Sequence, residues 1–346
     1  MKFAIVFGAN SYEHEISIVS AVVMKKVLKS NLSFVFIDKD RDFYLIEPED
    51  MRAVYFSGAK YKKARHLTLG KGGFYVSNLI GGAKKLDVDC YVNLVHGADG
   101  EDGKLAGLFE FFEVPFIGPR LEASVMSCSK ELTKLLAGKC GVKTLPYEIL
   151  RRDETPKTPL PYILKPSHLG SSIGVSIVKD ASELDYARDV AFEFDESVIV
   201  EPFVAGVREL NLAGFKAGNE IVYSIIEEPA KKEFLDFEQK YLGFSGGKAA
   251  KAEISDELVS ALKAAFAKIY EGGKFDGALI RCDFFVIENE VYLNEINPNP
   301  GSLANYLFED FTASLTLLAK SLKPAKKINV AYKFINSITK DKGGKL

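Results

Sequence analysis

Four polar residues on two strand-like stretches carry the most legible chemistry in the chain. In the run from Gly277 to Gly301, GALIRCDFFVIENEVYLNEINPNPG, strands 278–287 and 291–297 flank a short polar turn, Glu288–Asn289–Glu290. A three-residue turn pairs 287 with 291, 283 with 295 and 281 with 297. Side chains alternate faces along a strand, so Arg281, Asp283, Glu295 and Asn297 share one face and Asp283 lies opposite Glu295. Like charges set opposite each other weaken a strand pair. A positive group is therefore expected between them, and a hard divalent cation with oxygen ligands fits best. An ordinary solvated strand face is the plain alternative. Arg281 and Asn297 at one end, and the stiff Pro–Asn–Pro–Gly run that follows, argue against it.

Other stretches suggest phosphate. Lys130 opens a helix predicted over about 129–140, where a cation is unfavourable unless it meets an anion. Residues 162–178 read as strand, Gly/Ser loop, strand, with Lys165 at the entrance of the loop Ser167–Gly174. Backbone N–H groups in such a loop can wrap phosphate oxygens, and a plain turn would not need an eight-residue loop with six small or polar residues. It is not a Walker loop, because no GK[ST] opens a helix. Residues 201–206 (EPFVAG) read as a hinge. The polar stretch 228–252, with Lys240 and Tyr241, reads as a lid. Near the N-terminus, Glu13 and Glu15 flank His14 at a helix start. Either one is a first-turn carboxylate favoured by the helix dipole, or one binds the amine of a ligand. His96 ends a buried strand and begins the acidic glycine-rich loop HGADGEDG, where ligands commonly bind. Together these parts describe nucleoside triphosphate chemistry with a separate second substrate.

The elements that must position these groups follow from periodicity. Residues 2–7 (KFAIVF) form a strand buried on both faces, followed by a loop, a helix at 16–29 and a strand at 33–38. Residues 40–86 are less regular, with strand-like pieces at 43–46, 53–56 and 74–77. Strand 89–95, helix 104–113 and strand 115–118 complete the first unit. Helices at 121–127, 129–140, 182–193, 255–271 and 308–321 and strands at 197–201, 208–215 and 220–226 fill the remainder, with a Lys-rich solvated tail. The fold class expected is α/β, with an N-terminal parallel-sheet domain, 1–118, followed by two further units, 119–202 and 203–346. The chain has 346 residues, 47% of them apolar, and a formal net charge of −2, so each unit can bury a core and no general attraction to nucleic acid or membrane is expected. Cys90, Cys128, Cys140 and Cys282 form no CxxC pair, and Cys90 and Cys282 sit in apolar strand patterns as core thiols. With no signal-peptide pattern and no apolar run near 20 residues, a soluble cytoplasmic protein is expected.

Six motifs, in order, resemble the D-alanine–D-alanine ligase family of the ATP-grasp superfamily: HGADGEDG (96–103), KPSHLGSSIGV (165–175), EPFVAG..E (201–209), DFEQKYL (236–242), RCDFF (281–285) and LNEINPNPGS (293–302). The resemblance covers essentially the whole chain. It implies an ATP-grasp fold with ATP held between the central and C-terminal units, and a homodimer. The implied reaction moves the γ-phosphoryl group of ATP to a first D-alanine and then lets a second D-alanine attack the acyl phosphate. By resemblance, Glu13 holds the ammonium of the first D-alanine and Ser171 links it to Tyr241. His96 lies near the first substrate. Lys130, Lys165, Ser171, Ser172 and Lys240 contact ATP phosphates. Glu201, Pro202, Phe203 and Val204 form the adenine hinge and Glu209 meets the ribose. Arg281 sits beside the transferred phosphate, and the Gly301 N–H is an oxyanion donor. Asp283, Glu295 and Asn297 hold two Mg²⁺ (or Mn²⁺) ions, with Glu295 bridging.

Three positions depart from the family pattern. Pro202 replaces a common Lys in the hinge but keeps its carbonyl. Val207 adds one residue before Glu209. Tyr306–Leu307 stands where the family has a Ser–Leu pair that binds the carboxylate of the second substrate. Tyr241, where ester-forming relatives usually carry Phe, favours the dipeptide. The competing readings are a ligase for another carboxylate and acceptor, such as D-lactate, and a silent nucleotide sensor. The presence of Arg281, the carboxylates and Lys240 disfavours the sensor. The missing GxGxxG disfavours a dinucleotide oxidoreductase.

Overall fold

The computed structural model describes residues 1–77, 82–229, 250–324 and 326–341. Most of the predicted lid, including Lys240 and Tyr241, lies outside these described residues.

An eight-stranded sheet forms the N-terminal part, in the order β6-β5-β4-β3-β2-β1-β7-β8. Its parallel half is β1 (Lys2–Gly8), β2 (Asn31–Ile37), β7 (Cys90–Asn93) and β8 (Phe116–Ile117). β1 is central and its side chains are buried on both faces, as its unbroken apolar run requires. Helix α1 (His14–Val27) crosses from β1 to β2. At the end of β1, Gly8 has φ +100, and a Cβ there would stand 2.2 Å from the Ile37 carbonyl oxygen, so only glycine closes this corner.

The irregular stretch is an antiparallel ribbon of β3 (Phe43–Ile46), β4 (Arg65–Gly70), β5 (Gly73–Ser77) and β6 (Ala83–Lys85). Residues 53–56, expected as a strand, belong instead to helix α2 (Ala53–Ser57). Its Phe56 joins an aromatic cluster with Phe7 and Phe36, while β4 takes the sheet position. A short apolar run does not by itself distinguish helix from strand. Helix α3 (Lys104–Phe111) leads to β8.

Helices α4 (Leu121–Cys128) and α5 (Lys130–Lys139) follow. The second sheet is antiparallel, in the order β11-β10-β12-β9, built from β9 (Glu148–Leu150), β10 (Tyr162–Pro166), β11 (Ser176–Val178) and β12 (Val198–Pro202), with helix α6 (Leu184–Phe192) packed on it. The third sheet, in the order β14-β13-β15-β16, contains β13 (Arg208–Ala217), β14 (Glu220–Glu227), β15 (Leu279–Ile287) and β16 (Glu290–Asn297). One face packs on helix α7 (Asp256–Gly272) and on α4 and α5 through Ile280, Cys282, Phe284, Phe266 and Leu136. Part of the other face, with the turn 301–307 and helix α8 (Phe311–Lys320), shares a core with β1, β2 and α1. The third sheet is thus fastened to the N-terminal one. α8 begins three residues later than expected, where the Asp310 carboxylate caps it by accepting from the Ala313 N–H at 2.9 Å. A further helix, α9 (Lys333–Asp341), stands in the tail expected to be merely solvated.

Candidate active site

β15 and β16 pair with Asp283 opposite Glu295 and Arg281 opposite Asn297, the expected register. The route to it differs from expectation. Glu288 and Asn289 have φ +51 and +65, and Ile287 pairs directly with Glu290, so the turn has two residues. A one-residue bulge at Asn294 then restores the 283–295 pairing. Leu293 is buried in the core, while Asn294 faces the cleft and its Oδ1 accepts from Lys165 Nζ at 3.5 Å.

Asp283 is buried. Its carboxylate accepts two bonds from Arg281, from Nε at 2.6 Å and from NH2 at 2.7 Å, and a third from Asn297 Nδ2 at 3.0 Å. Burial pushes its pKa up, with Glu295 adding to the rise and Arg281 opposing it. The positive charge expected at Asp283 is therefore supplied in this structure by Arg281. The next strand adds residues that the sequence reading missed. Asn211 of β13 pairs with Asp283 on one side and Glu227 on the other. Glu227 Oε2 accepts from Asn211 Nδ2 at 3.2 Å and from the Tyr306 hydroxyl at 3.1 Å. Tyr306 thus hydrogen-bonds the last residue of β14. Burial raises the phenol to about 12.

Glu13 sits at the N-terminal end of α1 and is buried, whereas Glu15 is exposed. Its Oε1 accepts from the Ser171 hydroxyl of the Gly/Ser loop, and its Oε2 has no hydrogen-bond partner among the described residues. Burial raises the pKa of Glu13, and Glu101 raises it further. The loop at Gly97 approaches so closely that a Cβ there would stand 2.7 Å from Glu13 Oε2. His96 is buried, with Nε2 3.0 Å from the Ser20 hydroxyl and Nδ1 3.5 Å from Glu101 Oε1. Burial pushes His96 down to about 4 and Glu101 up to about 8, so near neutrality both are uncharged. Ser20 Oγ also accepts from the Ser302 N–H at 3.2 Å, tying α1 to the turn after Gly301. In that turn Ser302, Leu303 and Ala304 all have φ near +50, a left-handed conformation that side-chain-bearing residues rarely adopt in succession.

In the cleft between the second and third sheets, Lys130 Nζ donates to the Leu169 carbonyl, and burial holds its ammonium below the usual pKa. Ser171 and Ser172 both have φ +59. Glu201 is 2% exposed and is bridged by Lys134 Nζ on one oxygen and by Lys165 Nζ, at 2.8 Å, on the other. Lys134 was not singled out in the sequence. It lies four residues after Lys130, one turn along the same helix face.

Residues 2–119 match the family model for the D-alanine–D-alanine ligase N-terminus, and residues 136–316 match the model for its C-terminus. The chain belongs to the D-alanine–D-alanine ligase family. It is 63% identical to the D-alanine–D-alanine ligase of Campylobacter concisus over the whole of both chains, and 56% identical to that of Wolinella succinogenes over 99% of this chain and 100% of the relative. Among solved structures, the D-alanine–D-alanine ligase of Helicobacter pylori superposes with a TM-score of 0.84 at 49% identity, covering 94% of this chain and all of that one. The enzyme of Coxiella burnetii superposes at 0.74 and 25% identity, covering 93% and 94%. The ATP-grasp architecture read from six motifs is the architecture observed, and within this ligase family it brings together three groups of predicted residues. Glu13, His96 and Ser171 form one. Lys130, Lys165 and Glu201 form the second. Arg281, Asp283, Asn297 and Tyr306 form the third, with Glu295 paired to Asp283 in register. Pro202 ends β12, and the Phe203 N–H donates to the Pro161 carbonyl at 2.9 Å, which fixes the hinge. Glu209 lies on β13 opposite Phe285. Leu307 is buried at the end of the left-handed turn.

Proposed function

We propose that this ATP-dependent ligase joins two D-alanine molecules into D-alanyl-D-alanine for peptidoglycan synthesis, through a D-alanyl phosphate. The observation that carries the reading is Glu13. It is a buried carboxylate with one oxygen held by Ser171 from another sheet and the other oxygen lacking a partner among the described residues. Such an oxygen suits an ammonium group. A carboxylate substrate anchored there by its amine presents its own carboxylate toward the Lys and Arg side chains of the cleft. A carboxylate is a poor acyl donor because oxide would have to leave. Its attack on the γ-phosphorus of ATP expels ADP and converts that leaving group to phosphate. The amine of a second D-alanine then bonds to the acyl carbon, and the carbon–oxygen bond to phosphate breaks. Phosphoryl transfer of this kind needs positioning and charge neutralisation above all.

Under this reading the predicted residues take the following roles. Lys130 and Lys165 face the phosphates, with the backbone around Ser171 and Ser172. Residues 201–204 read the adenine, and Glu209 meets the ribose. Arg281 and the Gly301 N–H stabilise the tetrahedral carbon's oxygen, and His96, neutral and tied to Ser20, orients the first substrate. Tyr306 and Leu307 border the second substrate. By family resemblance, Lys240 reaches the γ-phosphate, and Tyr241, linked through Ser171 to Glu13, favours an amine over D-lactate as acceptor. Asp283, Glu295 and Asn297 fit Mg²⁺, since they offer hard oxygen donors and two opposed carboxylates. The described residues contain no group of three His, Cys, Asp or Glu side chains placed to hold a metal ion by themselves, so the Asn297 amide and phosphate oxygens would complete the donor set. Bound there, Mg²⁺ would neutralise charge on the transferring phosphoryl group. We further propose that the enzyme works in the cytoplasm as a homodimer.

The test is product analysis with ATP, Mg²⁺ and a panel of D- and L-amino acids, with and without D-lactate. D-Alanine should give phosphate and D-alanyl-D-alanine. Absence of phosphate release with D-alanine refutes the function, and preferential formation of the D-lactate ester refutes the acceptor assignment.

A further inference from the structure

The tail beyond α8 has two properties that the ligase site does not use. Residues 326–346 contain six lysines and one aspartate, a formal charge of +5 in a chain whose total is −2, which leaves −7 on the residues before them. The tail also exposes its apolar side chains. Ile328, Val330 and Tyr332 alternate along an extended stretch, and Phe334, Ile335 and Ile338 follow in α9 at spacings that place them on one face. Ile328 is 82% and Phe334 83% exposed, and all six are open to solvent. A mere solvating tail does not need this row of aliphatic and aromatic groups.

We propose that residues 326–341 form a peripheral contact with an anionic lipid surface, the apolar row entering the headgroup boundary and the lysines meeting the lipid phosphates. A short helix with an apolar face and flanking lysines is the form such contacts take. No helix among the described residues is long and apolar enough to cross a membrane, so the contact lies on the surface. The expectation of no general membrane attraction rests on the net charge of −2 of the whole chain, and the proposed contact departs from it in the tail alone.

A protein groove fits less well. The larger groove beside α8, about 920 Å³, is lined by Lys26, Lys29 and Lys320 together with Glu309 and Asp310, which leaves an excess of positive charge against a Lys-rich segment. A smaller one, about 440 Å³, shares Glu309, Asp310 and Leu317 with it and adds Ile225, but its size suits one small molecule rather than a sixteen-residue segment. A lipid surface needs no matching shape.

Vesicle flotation with the full chain tests the proposal. Vesicles of phosphatidylcholine alone are compared with vesicles containing one quarter phosphatidylglycerol, using the native chain, F334D/I338D and K326Q/K327Q. Binding to the anionic vesicles should exceed binding to the neutral ones by about tenfold or more. It should fall at least fivefold in each variant and be lost at 1 M salt, where the screening length drops to about 3 Å. ATP-dependent phosphate release should persist in both variants. No binding to anionic vesicles overturns the proposal, as does binding that F334D/I338D leaves intact. Sedimentation velocity supplies the remaining outcome: self-association that F334D/I338D abolishes, without vesicle binding, assigns the apolar row to a second copy of the chain and overturns the lipid contact.

Discussion

Replacing Glu201 by Gln isolates one charge at the centre of the nucleotide cleft. The Glu201 carboxylate is flanked by Lys134, 2% exposed, and Lys165, 15% exposed, both within ion-pair distance. Burial by itself would raise the pKa of Glu201, but Lys165 and Lys134 together hold it below the usual carboxylate range. Lys165 can turn toward Asn294 or the open cleft, whereas Lys134 has no such escape. Leaving one buried ion-pair partner uncompensated typically costs about 3–5 kcal/mol. For a unit of 150–250 residues this corresponds to a loss of roughly 10 °C in Tm at pH 7.

The deficit should depend on pH at both ends. The folded pKa of Glu201 is depressed, so its stabilisation is present above the unfolded carboxylate pKa and is lost as pH falls through the folded value. In acid, native protein and E201Q should converge. The Lys134 pKa is held low by burial, with Glu201 opposing the fall. Without that carboxylate it drops further, so in alkali the variant sheds the proton and recovers stability. Melting curves at about pH 4, 7 and 9.5 should show the largest gap in the middle. The double variant K134M/E201L should regain most of the loss, because an apolar pair replaces the buried charges. A gap under about 2 °C at pH 7, or one that does not narrow at either extreme, would refute the buried-charge account.

Three further outcomes are expected. D283N should still fold, with a lowered Tm because the partly buried Arg281 loses its carboxylate, and should lose phosphate release by about 10²–10³-fold, the scale of removing one strong transition-state electrostatic contact; wild-type turnover would remove Asp283 from the site. Glu13 must be ionised to hold an ammonium and its pKa is raised by burial and by Glu101, so KM for the first D-alanine should climb on acidification above the normal carboxylate range. E13Q should show a high KM at every pH; an unchanged acid limb in E13Q would place that titration elsewhere. Glu101, pushed to about 8 by burial, keeps its proton in the folded state while the unfolded chain releases it above about pH 4.5. Its stabilisation is therefore present below that pH and falls as pH rises toward about 8, at a slope approaching 1.4 kcal/mol per unit. Urea titrations should show that slope shallower in E101Q, and identical slopes would contradict the assignment.

How much of this was legible beforehand depended on the range of the signal. Local patterns served well: the apolar run of β1, the Gly/Ser loop and the acidic pair each announce themselves within a dozen residues. Long-range partners did not. Nothing near Tyr306 in the sequence points to Glu227, 79 positions earlier, and Lys134 looked like an ordinary surface lysine although its i+4 relation to Lys130 was available. The apolar row in the tail was masked by its lysines, which dominate composition while the apolar side chains set the face.

The hairpin is the instructive case, because its register came out right through two offsetting deviations. A two-residue turn shifts the pairing by one residue, and the bulge at Asn294 shifts it back. Regular alternation from Glu295 and Asn297 would have put Leu293 on the polar face and Asn294 in the core. A leucine and an asparagine in those exchanged places is the sign of an inserted residue, since burying an unpaired amide is costly and a bulge resolves both misfits at once. The same bulge sets Asn294 and Glu295 on the cleft side together, so that one strand reaches both Lys165 and the position opposite Asp283. The irregularity that makes the pairing hard to read in the sequence is thus the feature that joins the phosphate lysines to the carboxylate pair.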